Sequence, residues 1–205
     1  MIKVLNLYAG IGGNRKLWED VEVTAVEIDE SIAAIYQELY PDDNVVIGDA
    51  QEYLVKNYKR FDFIWSSPVC RSHSRTIFWN HVKKIYPDLG LYEEILFLKH
   101  HFYGKWVVEN VKPYYEPLIK PQEVDRHVFW ANFAIPNIKI GETVRNDGGQ
   151  GIRVKMKDRG IIVTDWKGFN GDKRPILKNC VYPKLGLHVF DAAFKERQRG
   201  VNDYA

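Results

Sequence analysis

Residues 2–13, with the sequence IKVLNLYAGIGG, decide the fold that this chain is expected to adopt. Ile2 to Tyr8 is a short apolar run, which predicts a buried strand. The glycines at positions 10, 12 and 13 permit a tight turn in which the backbone can approach a ligand closely. We expect a helix after this turn. Because glycine turns of this kind serve many cofactor-binding folds and also plain packing, the stretch alone indicates a fold class and no ligand.

The sequence on either side of this turn alternates short apolar runs with amphipathic stretches. The further predicted strands are 23–27, 45–47, 61–65 and 105–108, and the predicted helices are 31–40, 89–102 and 185–197. Strands that alternate with helices favour a mostly parallel sheet with helices on both faces. The predicted fold class is therefore α/β, and a ligand is expected beyond the carboxyl ends of the strands.

The composition changes after about residue 135. Residues 136–178 are rich in glycine and charged side chains, and short strand-like pieces such as 161–164 stand between predicted turns. We interpret this stretch as a small β-rich insertion. The chain then divides into a core at 1–135, the insertion at 136–178, and a C-terminal return to the core at 179–205.

The total charge is nearly balanced but unevenly distributed. The 205 residues contain 29 Lys and Arg against 27 Asp and Glu, a net charge of +2. Residues 1–54 hold three basic and eleven acidic side chains, so the remainder carries a net charge of +10. This asymmetry favours two different partners, with solvated helix faces as the alternative. No apolar run approaches the roughly 20 residues that span a bilayer, and two distant cysteines favour a reducing, cytoplasmic setting.

Carboxylates stand at the ends of consecutive predicted strands. Glu27 closes the second strand, 17 residues after Gly10, where a carboxylate can accept hydrogen bonds from ribose hydroxyls. Asp49 follows the third strand and could bind an adenine amino group. The alternatives are helix N-caps for Asp29 and Asp49 and a solvated carboxylate for Glu27. Together these positions favour a nucleoside cofactor, and the incomplete G-x-G-x-x-G pattern weighs against a dinucleotide.

Two further residues could carry chemistry. Cys70 lies in a polar loop with Arg71, His73 and Arg75, whose positive charge is expected to lower the thiol pKa and favour a nucleophilic thiolate. The alternative is a small buried hydrophobe. Glu109 follows the fifth strand, where burial could raise its pKa and make it a proton donor; the alternative is an ordinary strand-end carboxylate. The pair Cys70 and His73 lacks a second half, so no metal site is expected.

Several ordered motifs make the sequence resemble the DNA (cytosine-5) methyltransferases. They are YAGIGG at 8–13, AVEID at 25–29, GDA at 48–50, SSPVCRSHS at 66–74, ENV at 109–111 and Asn179-Cys180-Val181. The resemblance implies a Rossmann-like methyltransferase sheet, S-adenosylmethionine as cofactor and double-stranded DNA as partner. It also implies methyl transfer to C5 of a flipped cytosine through a covalent bond between Cys70 and C6 of the base.

The resemblance assigns roles to individual residues. The implied cofactor-binding residues are Tyr8, Gly10, Ile11, Gly12, Gly13, Glu27, Ile28, Asp49, Ala50, Asn179 and Cys180. The implied catalytic residues are the nucleophile Cys70, Glu109 at N3 of the base, and Arg126 beside them. Charge adds five candidates for DNA contact, which are Arg71, Arg75, Arg153, Lys155 and Lys157. We expect the DNA at residues 139–178 and the Arg71–Arg75 loop, away from the acidic first 54 residues.

The sequence also departs from the family pattern. Val69 stands where the family has proline before the nucleophile, and Lys178 replaces the glycine of the last motif. Asp125 and His127 stand where two arginines are expected, with Arg126 between them. These departures keep open a catalytically weakened DNA- and cofactor-binding protein or subunit, an RNA-directed relative, and transfer of a modified methyl group. The expected setting is a monomer in a prokaryotic cell or phage-infected host, as in restriction-modification.

Overall fold

A computed structural model describes residues 1–74, 86–139 and 151–202 of the chain. The strands are β1 (Ile2–Leu7), β2 (Val21–Glu27), β3 (Asn44–Ile47), β4 (Phe63–Ser66), β5 (Lys105–Val111), β6 (Gln122–Val124) and β7 (His127–Ala131). The helices are α1 (Glu30–Leu39), α2 (Ala50–Asn57), α3 (Gly90–His101), α4 (Ile152–Arg159), α5 (Lys173–Asn179) and α6 (Pro183–Asn202), with a 3₁₀ turn at Tyr58–Arg60. Each strand predicted from the sequence is present, with bounds that differ by a few residues.

The seven strands form one sheet in the order β3-β2-β1-β4-β5-β7-β6. Strands β1 to β5 pair in parallel, and β7 pairs antiparallel with both β5 and β6. The order reverses at β1, which has β2 on one side and β4 on the other. Such a switch point opens a crevice at the carboxyl ends of the strands, where ligands of α/β sheets bind. The predicted α/β, Rossmann-like fold is confirmed.

Helices cover both faces of this sheet because its buried strands alternate their side chains. Leu5 and Ile64 point to the face covered by α2 and α3, where they pack with apolar residues of both helices. Val4 and Phe63 point to the opposite face, where Trp18 and α6 cover them. The side chains of Phe63 and Trp18 meet edge to face, with ring centroids 6.1 Å apart.

The prediction of a β-rich insertion is wrong for the residues that the structure describes. Residues 151–178 contain α4 and α5, and 161–164 form no strand there. Gly160 ends α4 in the left-handed conformation, with φ of 59°, and the Asp172 carboxylate caps the start of α5. These caps stabilise two short helices where glycine and charged residues suggested turns between strands. Residues 140–150 lie outside the described part.

The expected helix after the glycine turn is also absent from the described residues. Gly12, Arg15 and Trp18 each donate a backbone hydrogen bond to the residue three positions earlier, so the segment is a series of single turns. The Trp18 indole N–H also donates to the Gly186 carbonyl of α6 at 3.2 Å. This short segment of turns therefore places Trp18 in the core without an intervening helix.

No helix in the described ranges has the length and apolar character needed to cross a membrane.

Candidate active site

The predicted site residues at the sheet's carboxyl edge come together around the switch point. Leu7 of β1 pairs with Val26 of β2 and with Ser66 of β4, which aligns the ends of these three strands. Beside this edge lies a cavity of about 340 Å³, whose lining includes Tyr8, Pro68, Val69 and Leu91. The glycine turn and the Cys70 loop therefore border the same crevice.

The three glycines of the turn have different physical reasons to lack a side chain. A Cβ at Gly12 would overlap the rings of Tyr36 and Tyr40, and one at Gly13 would overlap the Cys180 sulfur and the Val181 carbonyl. Gly10, in contrast, faces open space with φ of +54°. Gly12 and Gly13 thus permit close packing, whereas Gly10 leaves room for a ligand.

A buried ion pair supports this turn from below. Arg15 contacts Asp43 through two nitrogens, each 2.9 Å from a carboxylate oxygen, and the Tyr36 hydroxyl donates to the same carboxylate at 2.8 Å. The Tyr40 hydroxyl donates to the Gly12 carbonyl at 2.7 Å. The conformation of the glycine turn is therefore tied to α1 by side chains that sequence reasoning did not single out.

Glu27 is held in place by the backbone. Its two oxygens accept hydrogen bonds from the N–H groups of Gly10, Ile28 and Asp29, at 2.9 to 3.1 Å. The carboxylate is thereby oriented at the edge. Oε1 accepts the two bonds from Ile28 and Asp29, whereas Oε2 accepts the bond from Gly10 and retains a lone pair that can accept a hydroxyl. The adjacent Ile28 side chain is 70% exposed, which leaves an apolar surface beside this carboxylate.

The N-cap interpretation of Asp29 and Asp49 is confirmed. Asp29 Oδ1 accepts from Ser31 and Ile32 at the start of α1, and Asp49 Oδ1 accepts from Glu52 at the start of α2. Each aspartate uses Oδ1 for these capping bonds, so its Oδ2 can accept a hydrogen bond from a ligand while the cap is kept. Ala50, the first residue of α2, is buried directly after the Asp49 cap.

Sequence reasoning missed Glu94, a buried carboxyl group beneath Tyr8. The Tyr8 hydroxyl donates to Glu94 Oε2 at 3.2 Å, and Tyr8 has a φ of 53°. Burial raises the pKa of Glu94 to about 7. Among the described residues, Glu94 Oε1 and Ser66 Oγ are buried without a hydrogen-bond partner. The sequence could have identified Glu94 as buried, because its spacing places it on the same face of the helix as Leu91 and Leu98.

The pKa of the Cys70 thiol is shifted in the opposite direction from the one that the sequence predicted. Burial raises its pKa, the nearby Glu109 carboxyl raises it further, and Lys178 opposes the rise. Arg71 is exposed, and His73 is buried with its Nδ1 2.6 Å from the Tyr115 hydroxyl. Burial lowers the pKa of His73, which disfavours the charged form of its imidazole. The predicted lowering of the Cys70 pKa is wrong for the free protein, and Arg75 lies outside the described residues.

Glu109 is buried near the end of β5, and burial raises its pKa, as the sequence predicted. The neighbouring Asn110 amide donates to the Pro68 carbonyl at 3.1 Å, which ties the Cys70 loop to β5. His127 Nε2 lies 3.8 Å from Glu109 Oε1. The structure therefore places His127 beside Glu109, while Arg126 is exposed in the β6–β7 turn. We expected Arg126 beside Glu109, and the structure shows His127 there instead.

The C-terminal motif returns to the glycine turn. Cys180 lies against Gly13, and burial raises the pKa of its thiol to about 11. Asn179, the last residue of α5, is exposed. The thiol of Cys180 is therefore a neutral packing group beside the turn.

The basic candidates for DNA contact are partly described. Lys157 is exposed on α4, and Arg153 and Lys155 belong to the same helix, although their side chains lie outside the described part. We expected the basic residues 139–178 to lie away from the acidic first 54 residues. This expectation is wrong, because Met156 and Leu177 pack against Ile11 in one cluster. Lys167 also forms a 2.7 Å ion pair with Glu38 of α1.

Comparison with known proteins decides the family. The sequence profile described as C-5 cytosine-specific DNA methylase matches residues 2–112, more than half of the 205 residues. The chain belongs to this family. S-adenosylmethionine is the family's cofactor, and the open space at Gly10, the oriented Glu27 carboxylate and the exposed Ile28 fit a nucleoside with a methionine part.

Solved structures with a similar fold include DNMT2 and two methyltransferases. A triple mutant of DNMT2 from Spodoptera frugiperda is 27% identical over 55% of this chain and 36% of that chain, with a TM-score of 0.41. A putative DNA modification methyltransferase from an E. coli prophage is 19% identical over 57% and 34%, also with a TM-score of 0.41. A glycopeptide N-methyltransferase complexed with S-adenosylmethionine is 22% identical over 64% and 58%, with a TM-score of 0.37.

This chain thus spans about a third of the length of the first two relatives. A comparison with curated protein sequences gave no match.

Proposed function

We propose that this methyltransferase acts on DNA and transfers a methyl group from S-adenosylmethionine to C5 of a flipped cytosine. One observation carries the proposal. Cys70 follows β4 and Glu109 lies near the end of the adjacent strand β5, and the Asn110 amide donates to the Pro68 carbonyl at 3.1 Å, which ties the two segments together. A nucleophile and a buried carboxyl group beside a nucleoside-binding edge are the groups that cytosine methylation requires.

The cofactor would be held along the ends of β1, β2 and β3. Glu27 would accept hydrogen bonds from the ribose hydroxyls, Ile28 would contact the adenine, and Asp49 would bind its amino group. The remaining proposed cofactor contacts are Tyr8, Gly10, Ile11, Gly12, Gly13, Ala50, Asn179 and Cys180. When bound, S-adenosylmethionine supplies an electrophilic methyl group on a sulfonium centre.

The chain's own residues would make cytosine reactive. C5 of cytosine is a weak nucleophile, so Cys70 must lose its proton and add to C6, which gives C5 enamine character. Glu109, whose pKa is raised by burial, would donate a proton to N3 and stabilise this adduct. After methylation the C5 proton is lost, the bond to Cys70 breaks, and the N3 proton returns to Glu109. Because the Cys70 pKa is raised in the free protein, loss of the thiol proton is the step that substrate binding has to assist.

The raised pKa of Cys70 supports a second candidate function, a protein that binds DNA and cofactor but transfers methyl groups slowly or not at all. Val69, which replaces a proline and is 70% exposed, is consistent with a looser loop. In this case the Cys70 thiol would contribute nothing to DNA binding.

A covalent trap separates the two candidates. DNA duplexes containing 5-fluorocytosine block the loss of the group at C5, so a methyltransferase stays attached to the base through sulfur. With S-adenosylmethionine present, we expect a denaturation-resistant complex mapped to Cys70 by mass spectrometry, and no complex with Cys70→Ser. Calorimetry of cofactor binding to Cys70→Ser shows whether the variant is folded.

Methyl transfer to DNA and to RNA of matched sequences tests the nucleic acid, and mass spectrometry of the product tests the transferred group. Failure to trap any DNA by protein that binds S-adenosylmethionine would refute the proposal.

A further inference from the structure

His127 contacts the proposed catalytic carboxyl group at a position where the resembling family has an arginine. Its Nε2 lies 3.8 Å from Glu109 Oε1, and the His127 and Glu109 side chains are 23% and 9% exposed. Among the described residues, His127 Nδ1 is buried without a hydrogen-bond partner. The imidazole is thus close to Glu109 on one side and reaches solvent on another.

The register of the sheet produces this contact. Glu109 of β5 pairs with Phe129 of β7, and Val111 pairs with His127. In an antiparallel pair, residues opposite each other and residues two positions apart share one face, so Glu109 and His127 lie diagonally on the same face. Strand pairing therefore places the two side chains within reach of each other.

The charged and titratable groups around this pair come from several elements. Cys70, in the loop after β4, interacts electrostatically with Glu109 and with Lys178 of α5. Lys112 and Glu123, at the same end of the sheet, pair with each other at 2.8 Å. Among these groups, His127 lies within 4 Å of the Glu109 carboxyl group.

We propose that His127 is a positioning residue whose positive charge stabilises the Glu109 carboxylate during catalysis, which makes methyl transfer depend on the protonation of His127. This inference rests on the proposed function. When the Glu109 proton moves to N3 of cytosine, a buried carboxylate forms, and a cationic imidazole compensates its charge. When Cys70 leaves, the N3 proton returns to Glu109, so His127 carries the same proton before and after the cycle.

An arginine in this place would keep its charge at every relevant pH, whereas an imidazole loses its charge in the neutral range. Adduct formation requires that Cys70 is deprotonated, that Glu109 holds the proton it donates to N3, and that His127 is protonated. Because Cys70 and Glu109 are present in every variant of residue 127, the ratio of a variant's rate to the wild-type rate reports the effect of the charge at residue 127.

The test measures trapping of 5-fluorocytosine DNA from about pH 5.5 to pH 9 in wild type, His127→Arg, His127→Gln and the control His101→Gln. We expect the ratio of the His127→Arg rate to the wild-type rate to increase with pH, because the arginine keeps the positive charge that the histidine loses. His127→Gln should be slower than wild type by about tenfold or more near pH 6, and the difference should narrow near pH 9. His101 lies at the end of α3, away from the pair, so its variant should follow wild type.

Parallel pH profiles for wild type, His127→Arg and His127→Gln would overturn the inference, because a purely structural histidine changes the rate equally at every pH. A second measurement needs no DNA. The His127 imidazole NMR signal should titrate at lower pH in Glu109→Gln than in wild type, and identical titrations would also overturn the inference. If wild type binds cofactor but forms no adduct at any pH, the proposed function itself fails, while the NMR result still reports the electrostatic coupling.

Discussion

Replacement of Glu94 by glutamine should stabilise the protein at alkaline pH. Glu94 lies on α3 with only 2% of its surface exposed, and its Oε2 accepts a hydrogen bond from the Tyr8 hydroxyl. Burial raises its pKa from the ordinary 4.5 to about 7. A glutamine has the same shape, can accept the Tyr8 hydrogen bond, and places an amide N–H where Ser66 Oγ is buried.

The sign and size follow from proton linkage. Between pH 4.5 and about 7 the folded protein holds a proton on Glu94 that the unfolded chain releases, so the Glu94 contribution to stability falls as pH rises. Each pKa unit corresponds to about 1.4 kcal/mol, which gives a cost of about 3 kcal/mol above pH 7. Below about pH 4.5 the carboxyl is neutral in both states and the cost disappears.

Urea unfolding at about pH 4.5 and pH 8 measures this difference. Glu94→Gln should match wild type at the lower pH and exceed its free energy of unfolding by about 3 kcal/mol at the higher one. Glu93→Gln removes a neighbouring exposed carboxylate on α3 and serves as the matched control, with little change at either pH. A stability difference that is the same at both pH values, or a loss of stability at pH 8, would refute the reasoning.

Three further predictions concern the glycine turn and the basic helix. Arg15→Leu leaves Asp43 buried and unpaired, since their side chains are 14% and 3% exposed, and should cost about 3–5 kcal/mol in urea unfolding, with partial recovery in Arg15→Leu/Asp43→Asn. Gly12→Ala should destabilise the protein by about 2 kcal/mol or more, whereas Gly10→Ala should cost about 1 kcal/mol and mainly weaken S-adenosylmethionine binding, as calorimetry can show. Charge reversal at Lys155 and Lys157 should weaken DNA binding and flatten its salt dependence, measured by fluorescence anisotropy, with unchanged cofactor affinity.

The parallel half of the fold could be predicted from the sequence because its strands are buried on both faces. Such strands are continuous apolar runs, as in FIW at 63–65, and need no pairing information to be recognised. The carboxylates at their ends follow from the same pattern, because parallel strands align their carboxyl ends. Glu27 and Asp49 were therefore located correctly, including the N-cap of α2.

The antiparallel half depends on pairing that the local sequence does not show. In the segment 125–127, the register of β7 on β5 decides that His127, and not Arg126, faces Glu109. A shift by one residue would reverse the two side chains, so the motif alone could not choose between them. The predicted direction of the Cys70 pKa shift was wrong for a related reason. The sequence neighbour Arg71 is exposed, whereas Glu109, which raises the pKa, lies on another strand.

The packing of α4 changes the meaning of the charge asymmetry. The basic segment does not stand apart from the acidic one, because Met156 and Leu177 share a buried cluster with Ile11 and Ile35. Lys157 is exposed on the same helix, so its charge can contact a polyanion while its neighbour Met156 supports the glycine turn. Charge reversal at Lys157 therefore acts on an exposed group and leaves the packing of the turn intact. A cavity at Met156 would instead disturb both Ile11, one of the residues proposed to hold the cofactor, and the helix that carries the positive charge, because one apolar cluster supports both.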